Sequence, residues 1–166
     1  MTDEIRADLA ALVPRLRRFA LALCRNQDEG DDLVQTACMK ALDRAEQFEP
    51  GSRLDSWMFR IVQTTFLDQR RKLARRGREA PPETLDALSD EGREAGRFDD
   101  RLLLARVREA IAALPEEQRL VIGLVAVEGY TYKEAAEVLD IPVGTVMSRL
   151  SRARARLLPL TEDSVT

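Results

Sequence analysis

The chain has no histidine and only two cysteines, and aromatic residues make up just 5% of its 166 positions. Each scarcity closes off some chemistry. Without histidine there is no Ser-His or Cys-His catalytic pairing, no His-ligated metal and no side chain that ordinarily titrates near neutrality. Two cysteines cannot build a structural zinc site, and one possible disulfide is no secreted-protein framework. Cys24 and Cys38 fall within apolar stripes of separate predicted helices and read as small buried hydrophobes. No apolar run approaches the length of a membrane span, and the opening Met-Thr-Asp-Glu lacks the basic start of a signal peptide. What is present is 45% hydrophobic and 33% charged, enough apolar surface for a core and too much for wholesale disorder. Abundant Ala, Leu, Arg and Glu beside few aromatics favour helices over sheets. An all-α, soluble, cytoplasmic protein without a cofactor is expected.

The formal charge of −3 is unevenly spread. Residues 1–78 hold 15 basic and 12 acidic side chains, and residues 101–160 hold 9 and 7. Between them, residues 79–100 hold 2 basic and 8 acidic side chains together with Pro81, Pro82, Gly92 and Gly96. An acidic, turn-rich segment between two mildly basic halves reads as a linker joining two small helical domains, 1–78 and 101–160, with 161–166 as a tail. A surface loop inside one domain is the other reading, but structureless stretches of that length are unusual in a compact domain.

In the first half Leu9, Leu12, Val13, Leu16, Phe19, Ala20 and Leu23 recur at helical spacing. Pro14 interrupts them, so a short helix before it and a longer one from it to Arg25 are predicted. Asn26 then caps a helix with Asp28, Glu29, Asp31 and Asp32 crowded at its positive end. Its expected buried stripe is Leu33, Val34, Ala37, Cys38, Ala41 and Leu42, with Asp32 and Gln35 pointing away. Phe48-Glu49-Pro50-Gly51-Ser52 is a turn, and a third helix is predicted over 54–76, with Trp57, Ile61 and Leu67 toward the core and Met58 and Val62 beside them. Its far end, QRRKLARRGR, has six basic residues in ten. Basic surfaces interleaved with aromatics suit single-stranded nucleic acid, yet such a run also suits a plain solvated helix end. Residue type alone leaves both open.

In the second half Leu102, Leu103, Val107, Ile111 and Leu114 predict one amphipathic helix ending at Pro115. A helix opening on Pro115-Glu116-Glu117 follows, with Leu120, Val121, Leu124 and Val125 on its core face, and Gly129 stops it. Thr131-Tyr132-Lys133-Glu134 has the form of a capping box before a short helix over 133–139. Asp140-Ile141-Pro142 then turns into a last, basic helix. Short helix, three-residue turn and basic helix is the layout of a DNA-reading helix-turn-helix. At about 100° per residue, Val143, Val146, Leu150, Ala153 and Leu157 form the buried stripe of that last helix. The opposite face carries small hydroxyls among arginines, with no acidic residue from Val143 to Leu160. Arginine can read guanine edges, and Ser or Thr can reach bases or phosphates. An acidic protein is another partner such a helix could bind.

Taken together these residues resemble a bacterial sigma factor of the extracytoplasmic-function group. LPEEQRLVIGLVAVEGYTYKEAAEVLDIPVGTVMSRLSRARARL is similar to that family's region 4. DEGDDLVQTACMKALDRAEQF resembles the polymerase-binding helix of region 2, and SWMFRIVQTTFLDQRR its promoter-melting helix. The resemblance covers roughly 8–78 and 102–158, with no globular third region, and implies a transcription initiation factor rather than an enzyme. It implies core-polymerase binding through Asp31, Asp32, Leu33 and Gln35. It implies that the melted minus-10 strand is held by the loop with Phe48, Ser52 and Arg53 and by Trp57, Arg60, Gln63, Thr64, Arg70 and Arg71 on the following helix. The minus-35 duplex would be read by Thr145, Met147, Ser148, Arg149, Ser151, Arg152 and Arg154. Core RNA polymerase, promoter DNA and an anti-sigma factor are the implied partners; no membrane and no small-molecule substrate are implied. The acidic segment would thread toward the polymerase cleft, mimicking nucleic-acid charge.

Two departures bear on base preference: the family often has Asn at Thr64, and a cation at Met147 with a larger side chain at Ser151. A sigma-like decoy that only titrates a regulator would not need Trp57, Arg60, Arg149, Arg152 and Arg154. A simple helix-turn-helix repressor would not need the Asp32–Gln35 helix or the melting helix. The overall acidity, with an isoelectric point near 5.2, does not oppose DNA binding, because local patches set contact energy.

Overall fold

The structure is a computed structural model that describes residues 2–76 and 98–162. Among the described residues there are seven α-helices, a 3-10 turn, a π-helical turn and no strand. The helices are α1 (Thr2–Leu23), α2 (Gln27–Asp43), α3 (Leu54–Arg76), α4 (Phe98–Ala113), α5 (Glu116–Ile122), α6 (Tyr132–Leu139) and α7 (Val143–Glu162). None is long and apolar enough to cross a membrane. Most of the expected acidic linker lies outside the described residues, as does the end of the tail. Residues 98–100, assigned to the linker from sequence, instead open α4.

The helix predicted to break at Pro14 does not break: α1 is continuous through it. A proline inside a helix, through the missing hydrogen bond and the clash of its ring with the preceding turn, costs about 3 kcal/mol. Two facts offset that cost. Ile5 and Leu9 before the proline, and Leu16, Phe19, Ala20 and Leu23 after it, all bury on one face, worth about 1.5–3 kcal/mol per large side chain. Pro14 and Ala10, whose carbonyl would have been the acceptor, are both exposed, so water can reach the freed group.

Asn26 caps α2, its side-chain oxygen accepting the Glu29 N–H at 2.8 Å. Gly30, Leu33, Val34, Ala37 and Ala41 form its buried face. Leu42, expected in that stripe, is exposed because it lies about 180° around the helix from Leu33. On α3 the buried face is Met58, Phe59, Ile61, Val62, Thr65 and Phe66, whereas Trp57 and Leu67 are only half-buried. The expected leucines of α4 also correct: Leu102 and Leu103 are exposed, and only Ile111 and Leu114 near its end join the core.

The capping box is present on α6. Thr131 Oγ1 accepts the Glu134 N–H at 3.1 Å, and Glu134 accepts the Thr131 N–H at 3.0 Å. Gly129, at φ +74°, ends the π-helical turn Gly123–Val127, and Asp140, at φ 54°, closes α6 in the left-handed region. On α7, Val146, Leu150 and Ala153 are buried and Leu157 half-buried as expected, but Val143 is exposed. Helical side chains lean toward the N-terminus, so a first-position residue covers the entering turn rather than the neighbouring helix.

The two halves share one core. Phe19 of α1 meets Phe59 of α3 edge-on at 5.1 Å, and Phe59 meets Tyr130 edge-on at 5.4 Å. Gly123 lies so close to Phe19 that a Cβ there would sit 2.8 Å from the ring. Arg119, 3% exposed, donates to the Leu23 carbonyl at the C-terminal end of α1, where the helix dipole favours a cation, and lies over the Phe66 ring.

Candidate polymerase and nucleic-acid interfaces

The α2 surface divides cleanly. Asp32 and Gln35 are exposed, opposite the buried stripe. Asp31 is half-buried and ion-paired with Arg17 at 2.9 Å. Leu33, expected from the resemblance on the polymerase-binding surface, is instead fully buried in the core, as the period of α2 predicts. Beside Asp32 a cleft runs between the ends of α1 and α3, lined by Cys24, Glu29, Phe66, Gln69, Arg70 and Leu73. Burial pushes the Cys24 thiol up to about 12, with Glu29 adding to the effect. Both cysteines are free and half-buried.

The expected melting surface begins at the turn before α3. The 3-10 turn Ala45–Gln47 delivers Phe48, whose ring packs against Trp57 at 5.3 Å. Gly51, at φ +89°, makes the tight turn possible, and Ser52 closes it by donating to the Glu49 carbonyl at 2.6 Å. On α3, Thr64 is exposed with its hydroxyl donating to the Arg60 carbonyl at 3.0 Å. Arg71 is exposed, 3.9 Å from Asp68.

The remaining arginines of that set are engaged by the other half of the chain. Arg53 ion-pairs with Asp55 at 2.9 Å and with Glu134 of α6, and its guanidinium lies 5.1 Å from the Tyr130 ring centre. Arg60 donates to the Glu137 and Val138 carbonyls at the end of α6. Arg70 pairs with Glu116 of α5 at 3.1 Å and lies over Phe66. Gln63, expected to face DNA, is only 6% exposed: three and four residues from Phe66 and Phe59, it falls on the core side. Burial favours the neutral form of Asp55, but hydrogen bonds from Arg53, Tyr130 and the Ser56 N–H prevail and hold it down to about 2.

The recognition face of α7 is open. Met147, Ser148, Ser151, Arg152 and Arg154 are exposed, and Thr145 is half-buried. Ser148 donates to the Thr145 carbonyl at 3.1 Å, and Arg149 lies 3.7 Å from Glu117. Met147, Ser151 and Arg154 border a shallow groove with Tyr132, Leu150 and Leu158. A helix offering hydroxyls, arginines and one methionine, with no carboxylate among them, can enter a major groove and neutralise phosphate.

Sequence reasoning missed the residues that hold the halves together. Arg15 donates to Glu128 at 3.2 Å and to Asp55 at 3.3 Å, while Arg18 lies 3.7 Å from Glu128. Tyr130 and Arg119 complete the set. Glu128 next to Gly129 looks like an ordinary exposed helix end, and Arg119 sits in a helix buried all round, so neither carries a periodic signal.

Comparison with known proteins agrees with the geometry. Residues 104–157 match the family model described as "Sigma-70, region 4", and residues 9–63 match that described as "Sigma2 domain of PhyR". The chain is 36% identical over 160 residues to the ECF RNA polymerase sigma factor EcfG of Rhodopseudomonas palustris, covering 96% of this chain and 86% of that protein. It is 33% identical over 150 residues to the ECF RNA polymerase sigma-E factor of Escherichia coli K12, covering 82% of this chain and 77% of that one. Among solved structures, the sigma factor RpoE of Bartonella quintana, in complex with the anti-sigma factor NepR, is similar. It superposes with a TM-score of 0.83 at 33% identity, covering 96% of this chain and 97% of that one. A helix-turn-helix with an open basic face, a turn-and-helix surface beside an acidic helix, and relatives matched over more than three quarters of their length lead to one conclusion: the chain belongs to the ECF RNA polymerase sigma factors.

Proposed function

We propose that this chain is an alternative sigma factor that binds core RNA polymerase, directs it to particular promoters and is held in check by an anti-sigma factor. It acts as a transcription initiation factor, not an enzyme. The division of labour follows the chemistry of the surfaces. Asp32 and Gln35, exposed and off the apolar stripe of α2, contact polymerase, with Asp31 oriented by Arg17 beside them. Phe48, Ser52, Arg53, Trp57, Arg60, Thr64 and Arg71 hold the melted minus-10 strand. Stacking on the Phe48–Trp57 pair and charge from the arginines provide the on-the-order-of a few kcal/mol needed to keep bases unstacked. Ser148, Ser151, Arg152 and Arg154 read the minus-35 duplex in the major groove.

The observation that carries this reading is the face of α7: seated on a buried stripe by a capped helix and a tight turn, it is open and free of carboxylates. Support for the anti-sigma partner comes from the likeness to RpoE, whose structure was solved in complex with NepR. Each half binds DNA through a handful of side chains, so polymerase supplies most of the affinity by fixing both halves at the promoter spacing. The test titrates labelled promoter duplex with the protein alone, core polymerase alone and both, at one salt concentration. Tight, sequence-specific binding only with both is expected; equally tight binding by the protein alone would favour a simple repressor.

A further inference from the structure

The base edges of a duplex are met chiefly by the N-terminal residues of the second helix of a helix-turn-helix. In α7 the first two turns are residues 143–149, and few of their side chains are free to reach a base. Arg149 is the one cation among them, and it is half-buried and lies 3.7 Å from Glu117. Val146 is buried and Thr145 half-buried. The Ser148 hydroxyl donates its hydrogen to the Thr145 carbonyl at 3.1 Å, so outward it offers only lone pairs. Val143 is exposed but short, and it sits about 60° around the helix from Val146, close to the buried stripe. The side chain that combines length with exposure is Met147, which is 52% exposed.

The shape of the face lets that side chain arrive at a base. Gly144, Ser148, Ser151 and Ala155 lie within about 50° of the point opposite the stripe of Val146, Leu150 and Ala153. All four are exposed, and a Cβ added at Gly144 would meet nothing within 4 Å. No long side chain on this strip holds the backbone away from the floor of a major groove. Met147 stands beside the strip, about 100° around from Val146. It borders the shallow groove that Tyr132, Leu150 and Leu158 also line, so it has apolar neighbours on one side and water on the other.

In the major groove every base presents hydrogen-bonding atoms, and thymine alone adds a methyl group. A thioether has no donor and only a weak acceptor, so it gains little from the hydrogen-bonding atoms. Its three rotatable bonds and polarizable sulfur let it fold onto a small apolar target. An arginine at the same point would seek guanine O6 and N7 instead. We propose that Met147 selects a thymine in the minus-35 element by covering its C5 methyl, so that one position of the promoter is chosen by apolar contact. The inference rests on the sigma-factor reading and names the base preferred by its duplex-reading face.

Uracil isolates this contact, because it keeps every hydrogen-bonding group of thymine and lacks only the methyl. Holoenzyme of core polymerase with the full chain first selects promoters from templates randomised across the minus-35 element. Each thymine of the selected element, on either strand, is then replaced singly by uracil, and holoenzyme affinity is measured at one salt concentration. Wild type is compared with Met147→Leu, Met147→Ala and Met147→Arg, whose exposed site makes the changes cheap for the fold.

One uracil position should weaken wild-type binding about fourfold, the worth of one methyl withdrawn from water. Met147→Leu should keep that dependence and Met147→Ala should lose it. Met147→Arg should select guanine at the same base pair. A selected element without thymine on either strand, no uracil position that matters, or a methyl dependence that survives in Met147→Ala would each overturn the proposal. In those cases the minus-35 element is still selected, so the sigma-factor reading stands. Holoenzyme that selects no minus-35 sequence at all removes that reading, and the inference with it.

Discussion

Truncating Arg15 should destabilise the protein far more than neutralising the carboxylate it holds. The Glu128 side chain is 1% exposed, with Arg15 Nε at 3.2 Å and Arg18 Nε at 3.7 Å. Arg15 itself is 32% exposed and has a second partner in Asp55 at 3.3 Å. Arg15→Ala therefore strands a buried charge, a change that costs about 3–5 kcal/mol when no other partner remains. Arg18 retains part of that, and the lost contact of Arg15 with the Phe59 ring at 5.4 Å adds a fraction back, giving about 3 kcal/mol in all. Glu128→Gln keeps the shape and an acceptor, and leaves Arg15 with Asp55 and water, so about 1 kcal/mol is expected. For a chain of this length those losses correspond to Tm decreases of roughly 6–12 °C and 2–4 °C. Urea unfolding followed by circular dichroism, repeated for Arg15→Ala in the Glu128→Gln background, measures the coupling. In that background the arginine should matter by only about 1 kcal/mol. Equal losses for the two single variants would mean that Glu128 is solvated and that the halves do not close on it.

Three further outcomes follow from other sites. Asp32→Ala with Gln35→Ala should weaken binding to core polymerase while leaving the urea midpoint within about 0.5 kcal/mol of wild type, because neither side chain packs; unchanged core affinity would remove this face from the interface. Arg152→Ala should cost about 1–3 kcal/mol and relax preference at one minus-35 position in a binding-site selection, whereas a uniform loss with a shallower salt slope would make it a phosphate contact. Asp55 has its carboxyl pKa lowered from 3.8 to about 2. Its contribution to stability is therefore complete above pH 4 and falls away as pH drops toward 2. Asp55→Asn should flatten that part of an acid-denaturation curve, and an unaltered curve would show that the carboxylate is not bonded as described.

Local signals in the sequence were strong enough to place α2, α3, α6 and α7, because each is bounded by its own chemistry: Asn26, Gly51, the Thr131–Glu134 capping box, and Asp140-Ile141-Pro142. The α7 face was legible for the same reason, since a stripe of Val146, Leu150 and Ala153 fixes what lies opposite. The errors arose where distant residues decide. Pro14 stays helical because α1 buries its apolar face along nearly its whole length. Gln63 is polar, but it shares the core side of α3 with Phe59 and Phe66. Leu33 is a different case: the period of α2 already turns it inward, and only the family resemblance placed it on the polymerase-binding surface. Arg119 is buried because a helix end from the other half offers it a carbonyl. No window of neighbouring residues contains that information.

The most direct measurement of the central claim is run-off transcription with purified core polymerase and a library of promoter templates. The account predicts transcripts from a limited set of promoters sharing minus-35 and minus-10 elements, dependent on this protein and reduced when Arg152 or Trp57 is replaced by alanine. Core polymerase that gives the same transcripts with and without the protein would contradict it.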